Sequence, residues 1–145
     1  ARDLRQISTA LKVVTDLERI GDHASDIAEL ILRIKSEHAY HIVKHLPVMA
    51  SAAQNMVHDA IEAFISQDLE EALKIIDRDD EVDMLFNKVK TDVIDLLKSS
   101  PDQADQGIDL LMVAKYLERI GDHAVNVCEW TQFSKTGTLK NVRIM

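Results

Sequence analysis

Leu17 to Ala24 reads LERIGDHA, and Leu117 to Ala124 reads the same eight residues 100 positions later. The match extends outward from both copies. Leu11 and Val13 recur as Leu111 and Val113, Ile27 is answered by Val127, and Glu29 recurs as Glu129. Identity over eight residues does not arise by chance in a chain of 145, so the protein carries an internal duplication.

Composition says what kind of structure was duplicated. Four glycines, two prolines and 4% aromatic residues are too few for the turns and pleated faces of a sheet protein, and they favour an all-α fold. Hydrophobic residues make up 46%, enough for one ordinary core. Start signals place the helices. Ser100-Pro101 reads as an N-cap with proline at the first helical position, opening a helix over 101–133. Asp68 with Glu71 is a capping-box pattern that opens a helix over 69–99. Pro47 starts another over 47–66, with Met49, Ala53, Met56, Val57, Ala60, Ile61 and Phe64 on its buried face. Residues 3–44 read as one long helix, or as two joined near Ser36.

Residues 45–133 therefore hold a second repeat of three helices, and 1–44 hold only the motif helix of a first repeat. If the two units are equivalent, about 80 residues carrying two helices are expected ahead of Ala1, and the chain is expected to be truncated. From Ser134 the Ser-Lys-Thr-Gly run breaks the pattern, so 134–145 is expected to be a loose tail or one borrowed by a partner.

The net charge of −8 and a pI near 5.1 oppose a nucleic-acid grip, which needs Lys and Arg against phosphates. Cys128 is the only cysteine, so no intrachain disulfide can form and the chain fits a reducing cytosol. Its apolar neighbours favour a packed core thiol. No signal peptide is recognised, and the apolar runs fall short of the roughly 18–20 residues of a membrane span.

Within each octamer, Glu18 and Asp22, and again Glu118 and Asp122, stand four apart and so stack on one helix face. Like charges there cost a few tenths of a kcal/mol, and Gly21 and Gly121 each cost about 1 kcal/mol in a helix interior. Keeping both unfavourable choices in both copies implies a compensating gain, which bridging cations would supply. Asp79 and Asp83 are also four apart, in a stripe with Ile76 and Phe86 that has the spacing of a buried face. A helical wheel centres the apolar face of the last helix on Leu117, Ala124 and Cys128, leaving Glu118 and Asp122 at its edge. Two such pairs on facing antiparallel helices make an all-oxygen basin suited to Mg, Mn, Ca or iron. Against this, an isolated i,i+4 pair is more often a solvated face; Asp105 and Asp109 form another. Arg19 and Arg119 also offer ordinary salt-bridge partners.

LERIGDHA followed by Ser25-Asp26-Ile27-Ala28-Glu29, and by Val125-Asn126-Val127-Cys128-Glu129, closely resembles the PhoU family of phosphate-uptake regulators. Ala1 to Arg5 resembles the family's entry to its first motif helix, and Asp79 to Asp83 its D-x-x-x-D partner motif. The resemblance covers nearly the whole chain. It implies two antiparallel three-helix bundles, one complete here and one partial, holding multinuclear clusters, typically of iron or zinc. It further implies a cytoplasmic, often dimeric protein. Such a protein acts with the Pst phosphate ABC transporter, through its ATPase subunit, and with a phosphate sensor histidine kinase to repress the starvation response. By position, Glu18 and Asp22 would serve the first cluster, and Glu118, Asp122, Asp79 and Asp83 the second. Asp26 would extend the first site one turn further; Asn126 replaces the acid in the second. The first cluster lacks its partner acidic helix here, which puts its occupancy in doubt.

The remaining histidines read as background. His23 and His123 sit about a hundred degrees from the ligand line and read as hydrogen-bonded surface groups. His38, His41 and His45 read as a solvated face. The competing function is a di-metal carboxylate enzyme of ferritin-like type, which uses Glu-x-x-His. No such tetrad occurs in this chain; position three after Glu18 is Gly21, and after Glu118 it is Gly121. A third reading makes the bundles a dimerisation module whose acids are only salt-bridged. A regulator, and no enzyme, is the expectation.

Overall fold

A computed structural model describes residues 2–35 and 37–137, and the described residues form helices with no strand. In order these are α1 (Arg2–Arg33), α2 (Glu37–Ile42), α3 (Leu46–Ser66), α4 (Leu69–Asp77), α5 (Asp79–Ser99), a 3₁₀ turn (Pro101–Gln103) and α6 (Ala104–Thr136).

Most boundaries follow from local chemistry. Asp68 is extended, and its side chain accepts a hydrogen bond from the Glu71 N–H at 3.0 Å, as the capping pattern requires. Pro47 lies in the first turn of α3. That helix start also has a cap from a distance: buried Asp92 on α5 accepts from the His45 N–H at 3.1 Å and from His45 Nδ1 at 2.7 Å. Three boundaries differ from the sequence reading. The helix expected over 69–99 bends at Arg78, whose N–H turns back to Ile75 O and whose guanidinium reaches Asp59 Oδ2 on α3 at 2.7 Å. Ser100 makes no side-chain cap; its hydroxyl lies 3.1 Å from His38 Nε2, and Pro101 opens a 3₁₀ turn before α6. Lastly, α6 runs on through Ser134 to Thr136 and stops at Gly137, whose φ of 76° is the left-handed cap that glycine accepts without strain. The rest of the expected tail, 138–145, lies outside the described residues.

Residues 3–44 resolve into the two-helix alternative, α1 and then α2. Helices α3, α5 and α6 pack around the main core, to which α3 gives Met49, Ala53, Met56 and Ala60, and α5 gives Val82, Leu85, Val89, Val93 and Leu96. Helix α1 lies along the other side of α6, antiparallel to it: Arg33 on α1 reaches Asp109 on α6, while Asp16 reaches His123 and Asn126. Caught between these layers, α6 has every residue from His123 to Glu129 buried. A helix buried on all sides needs apolar or paired residues on all sides, which is what this stretch has. No helix among the described residues is long and apolar enough to cross a membrane.

Candidate metal centre

The acidic pairs on α5 and α6 meet at Gly121. A Cβ added there would lie 3.7 Å from Val82 Cγ1 and 3.8 Å from Asp79 Oδ1, at ordinary van der Waals distance, so α5 and its carboxylate lie against the octamer at this glycine. Asp79 is only 3% exposed. Glu118 and Asp122 lie at the half-buried margin of α6, as the helical wheel placed them. Asp83 does not share the burial of Asp79. It is exposed, because the inward line of α5 runs from Asp79 through Val82 to Leu85, not through the 79–83 stripe.

The basic residue beside Glu118 is not the arginine of the octamer. Lys115 Nζ donates to Glu118 Oε1 at 2.7 Å, and it also lies 5.5 Å from the centre of the Phe86 ring on α5. Arg119 turns the other way and lies over Tyr116, 5.8 Å from the ring centre. The donors of this edge fit a hard or intermediate cation in type, being carboxylate oxygens. Among the described residues, however, no three or more His, Cys, Asp or Glu side chains converge on one point closely enough to hold a metal ion as they stand.

The first octamer has the same residues without the enclosure. Glu18, Gly21 and Asp22 are exposed, and no atom outside the helix comes within 4 Å of a Cβ added at Gly21. Asp26 is half-buried, 3.9 Å from His23 Nδ1. Together with Glu29, Leu30, Arg33 and Tyr116, it lines a pocket of about 260 Å³ between α1 and α6, apart from Glu18 and Asp22.

Histidines 23 and 123 are not surface groups of one kind. His123 is buried and donates from Nδ1 to Asp16 Oδ1 at 2.8 Å; Asn126 Nδ2 donates to the same oxygen at 3.1 Å. The His23 ring stacks at a tilt 5.6 Å from Tyr116 and 5.6 Å from His123. Burial, then the neighbouring His123 and Arg119, hold the His23 pKa below the ordinary histidine value against the pull of Asp26 and Asp22. These contacts exchange under the 100-residue offset of the duplication: position 16 meets 123, and position 116 meets 23. Paired exchange of this kind marks a local twofold axis, with the two histidines beside it. Both histidines lie away from the Glu118–Asp122 line, on the α1–α6 side. Their partners, 107 and 93 residues away, carry no local signal (123 − 16 and 116 − 23).

His38, His41 and His45 do not converge. His38 is beside Ser100, His45 is bound to Asp92, and His41 is exposed. Cys128 is a fully buried thiol whose pKa is pushed up to about 12 by burial first and Glu129 second.

Comparison with known proteins bears on the whole of this arrangement. The family model for the PhoU domain matches residues 1–31 and 46–131. The chain is 41% identical, over 137 residues, to a phosphate-specific transport system accessory protein PhoU homolog of Clostridium acetobutylicum, covering 94% of this chain and 63% of that protein. A protein of the same description from Borreliella burgdorferi is 34% identical over 98% of this chain and 66% of its own length. The chain thus spans less than two thirds of these two relatives. Among solved structures, PhoU from Pseudomonas aeruginosa superposes with a TM-score of 0.84 at 33% identity, covering 95% of this chain and 66% of that one. The phosphate transport system regulatory protein PhoU from Streptococcus pneumoniae gives the same TM-score at 28% identity, covering 97% and 67%.

Proposed function

This chain belongs to the PhoU family, and on that premise we propose that it is a metal-binding regulator of phosphate uptake. It represses phosphate transport and the phosphate-starvation response by docking on the ATPase subunit of a phosphate ABC transporter and on the sensor histidine kinase. It works in the cytoplasm, as a homodimer, and performs no catalysis of its own. The names of its relatives support the regulatory half of this reading. The metal half rests on one observation: Glu118 and Asp122 share a turn of α6 where Gly121 faces the buried Asp79 of α5.

Glu118, Asp122 and Asp79 would hold the cation, with Asp83 as an outer ligand from the exposed side of α5. Such oxygen donors take iron, zinc, manganese or magnesium. On α1, Glu18 and Asp22, extended by Asp26, would contribute to a second cluster. The ferritin-like enzyme is not favoured, since its Glu-x-x-His tetrad is absent and Glu118 lies at a margin, not in an enclosed pocket.

Metal analysis of the purified full chain, beside Glu118→Gln and Asp122→Asn variants, tests the metal half. Iron or zinc in the parent and its loss in both variants is the expected result; a parent that refuses Fe, Zn, Mn and Mg overturns the reading. Co-purification with the transporter ATPase and the kinase tests the regulatory half, and normal phosphate control without any such association overturns it.

A further inference from the structure

We propose that the pocket between α1 and α6 receives a lysine or arginine side chain of a partner protein, with an apolar residue of the same partner segment lying on Ile108 and Met112. The inference deepens the docking half of the proposed function and rests on it; no metal enters it.

Size and lining carry the first part. At about 260 Å³ the pocket is smaller than the roughly 300–1,000 Å³ of small-molecule sites, so it suits one long side chain better than a cofactor. Buried Leu30 gives it apolar surface, and Tyr116, its ring engaged by Arg119 and His23, gives the α6 wall. Asp26 and Glu29 supply the charge. His23 Nδ1 stands 3.9 Å from Asp26 Oδ2, too far for a hydrogen bond. Arg33 is the basic residue of the lining, but it donates to Asp109 at 3.3 Å, so its charge is offset within the protein. The carboxylates of Asp26 and Glu29 therefore set the sign of the site. A lysine or arginine fits both surfaces, since its stem covers the leucine while its head reaches the acids.

Two further observations point the same way. The residues 100 positions on from Leu30 and Arg33 are Trp130 and Phe133, whose rings meet edge to face with centres 5.7 Å apart. The matching side of the local axis thus carries two rings of its own, where this side has a leucine and an arginine drawn off to Asp109. Next to the pocket, Ile108 and Met112 precede Tyr116 at intervals of four, so all three lie along one face of α6. Ile108 is 48% and Met112 38% exposed, which makes an apolar run leading away from the acidic pocket. An amphipathic partner segment matches that order, with its basic residue in the pocket and an apolar anchor one or two turns away. The net charge of −8 also favours the approach of a basic partner.

Titration with N-acetylarginine methylamide, followed through the Tyr116 ring signals by NMR, tests the pocket alone. A saturable shift with a midpoint of about 1 mM or weaker is expected, the strength of one captured side chain. Glu29→Gln, at an exposed position, is expected to weaken it roughly threefold or more. The uncharged citrulline counterpart is expected to give no shift. Equal shifts from citrulline, or no saturation by the arginine amide, overturn the proposal. Tighter binding of spermidine than of the amide assigns the pocket to a free polyamine and overturns the partner reading. Binding to the immobilised transporter ATPase subunit and to the kinase's cytoplasmic part tests the docking. Glu29→Lys and Met112→Asp are each expected to weaken one of these complexes about tenfold or more, while Glu62→Lys, the same reversal at an exposed position on α3, leaves both unchanged. If the parent binds and Glu29→Lys binds equally well, the pocket's role is overturned and docking stands. If the parent binds neither protein, the docking reading falls and this proposal with it.

Discussion

Ala24 and Ala124 close the same octamer, yet Ala124 is fully buried within the bundle and Ala24 is exposed on α1. The contrast runs along both helices. Gly107 and Ala114 of α6 are buried, with Leu96 and Leu97 packed close to Gly107, while their counterparts Ile7 and Val14 are exposed on α1. With Leu4 and Leu11, which are 69% and 65% exposed, they form an apolar stripe at helical spacing. The comparison teaches that the octamer specifies a helix and an acidic edge, whereas burial of that edge depends on the α3–α5 pair, which flanks one copy.

Substitutions made in parallel in the two copies can break or sharpen this contrast. The largest difference is expected for a charge at the closing alanine. Ala124→Asp should cost about 3–5 kcal/mol, and Ala24→Asp no more than about 0.5 kcal/mol, by urea unfolding. Equal costs would mean that the outer face of α1 is covered in solution. Next comes the local axis. Asp16→Ala leaves buried His123 and Asn126 without their shared acceptor, a loss of about 2–3 kcal/mol, whereas Tyr116→Ala removes a half-buried ring and should cost about 1–2 kcal/mol. If Asp16→Ala is the milder of the two, the polar network is not what holds α1 on α6.

Smaller effects are expected at the glycines. Gly21→Ala should stabilise by about 0.5–1 kcal/mol through helix propensity, since its methyl would meet nothing. Gly121→Ala should gain at least as much, because its methyl would sit at ordinary contact distance from Val82 and Asp79 and add packing to the same helix propensity. A loss at Gly121→Ala would show that α5 and α6 need the glycine to approach. The smallest change in stability separates Cys128 from its counterpart Ala28. With its pKa near 12, Cys128 should resist disulfide reagents at pH 8 in the folded chain, while Ala28→Cys, on an exposed position, should react readily. The sign also fixes an alkaline effect. The thiol ionises near 9.0 when unfolded but resists ionising when folded, so folding loses stability as pH rises above about 9.

Several elements were legible because their causes are local. Asp68 caps the helix that its spacing to Glu71 announces, and Met49, Ala53, Met56 and Ala60 bury the face that a 3.6-residue period selects. The edge position of Glu118 and Asp122 followed from the same period. Other features depend on distant partners. The bend at Arg78 coincides with its reach to Asp59 on α3, and the capping of α3 falls to Asp92, 47 residues from His45. Asp83 turns outward because Val82 takes the inward position, a difference of one residue that a four-residue spacing cannot resolve. The pairing of Lys115 with Glu118 is local, three residues apart on one helix face, but Arg119 stands within the motif as an equally near base.

The exchanged contacts at the α1–α6 axis have an evolutionary consequence. Were the two helices supplied by two identical chains, every substitution at the axis would be felt twice, and an aspartate at position 16 would place a carboxylate on both sides of the histidine pair. Joined in one chain, each position mutates alone. The duplication could therefore keep Asp16 as the acceptor for His123 on one side while Tyr116 became a ring against His23 on the other. Fusion released the two halves from the obligation to be alike, and the positions around the two identical octamers record how far they have since moved apart.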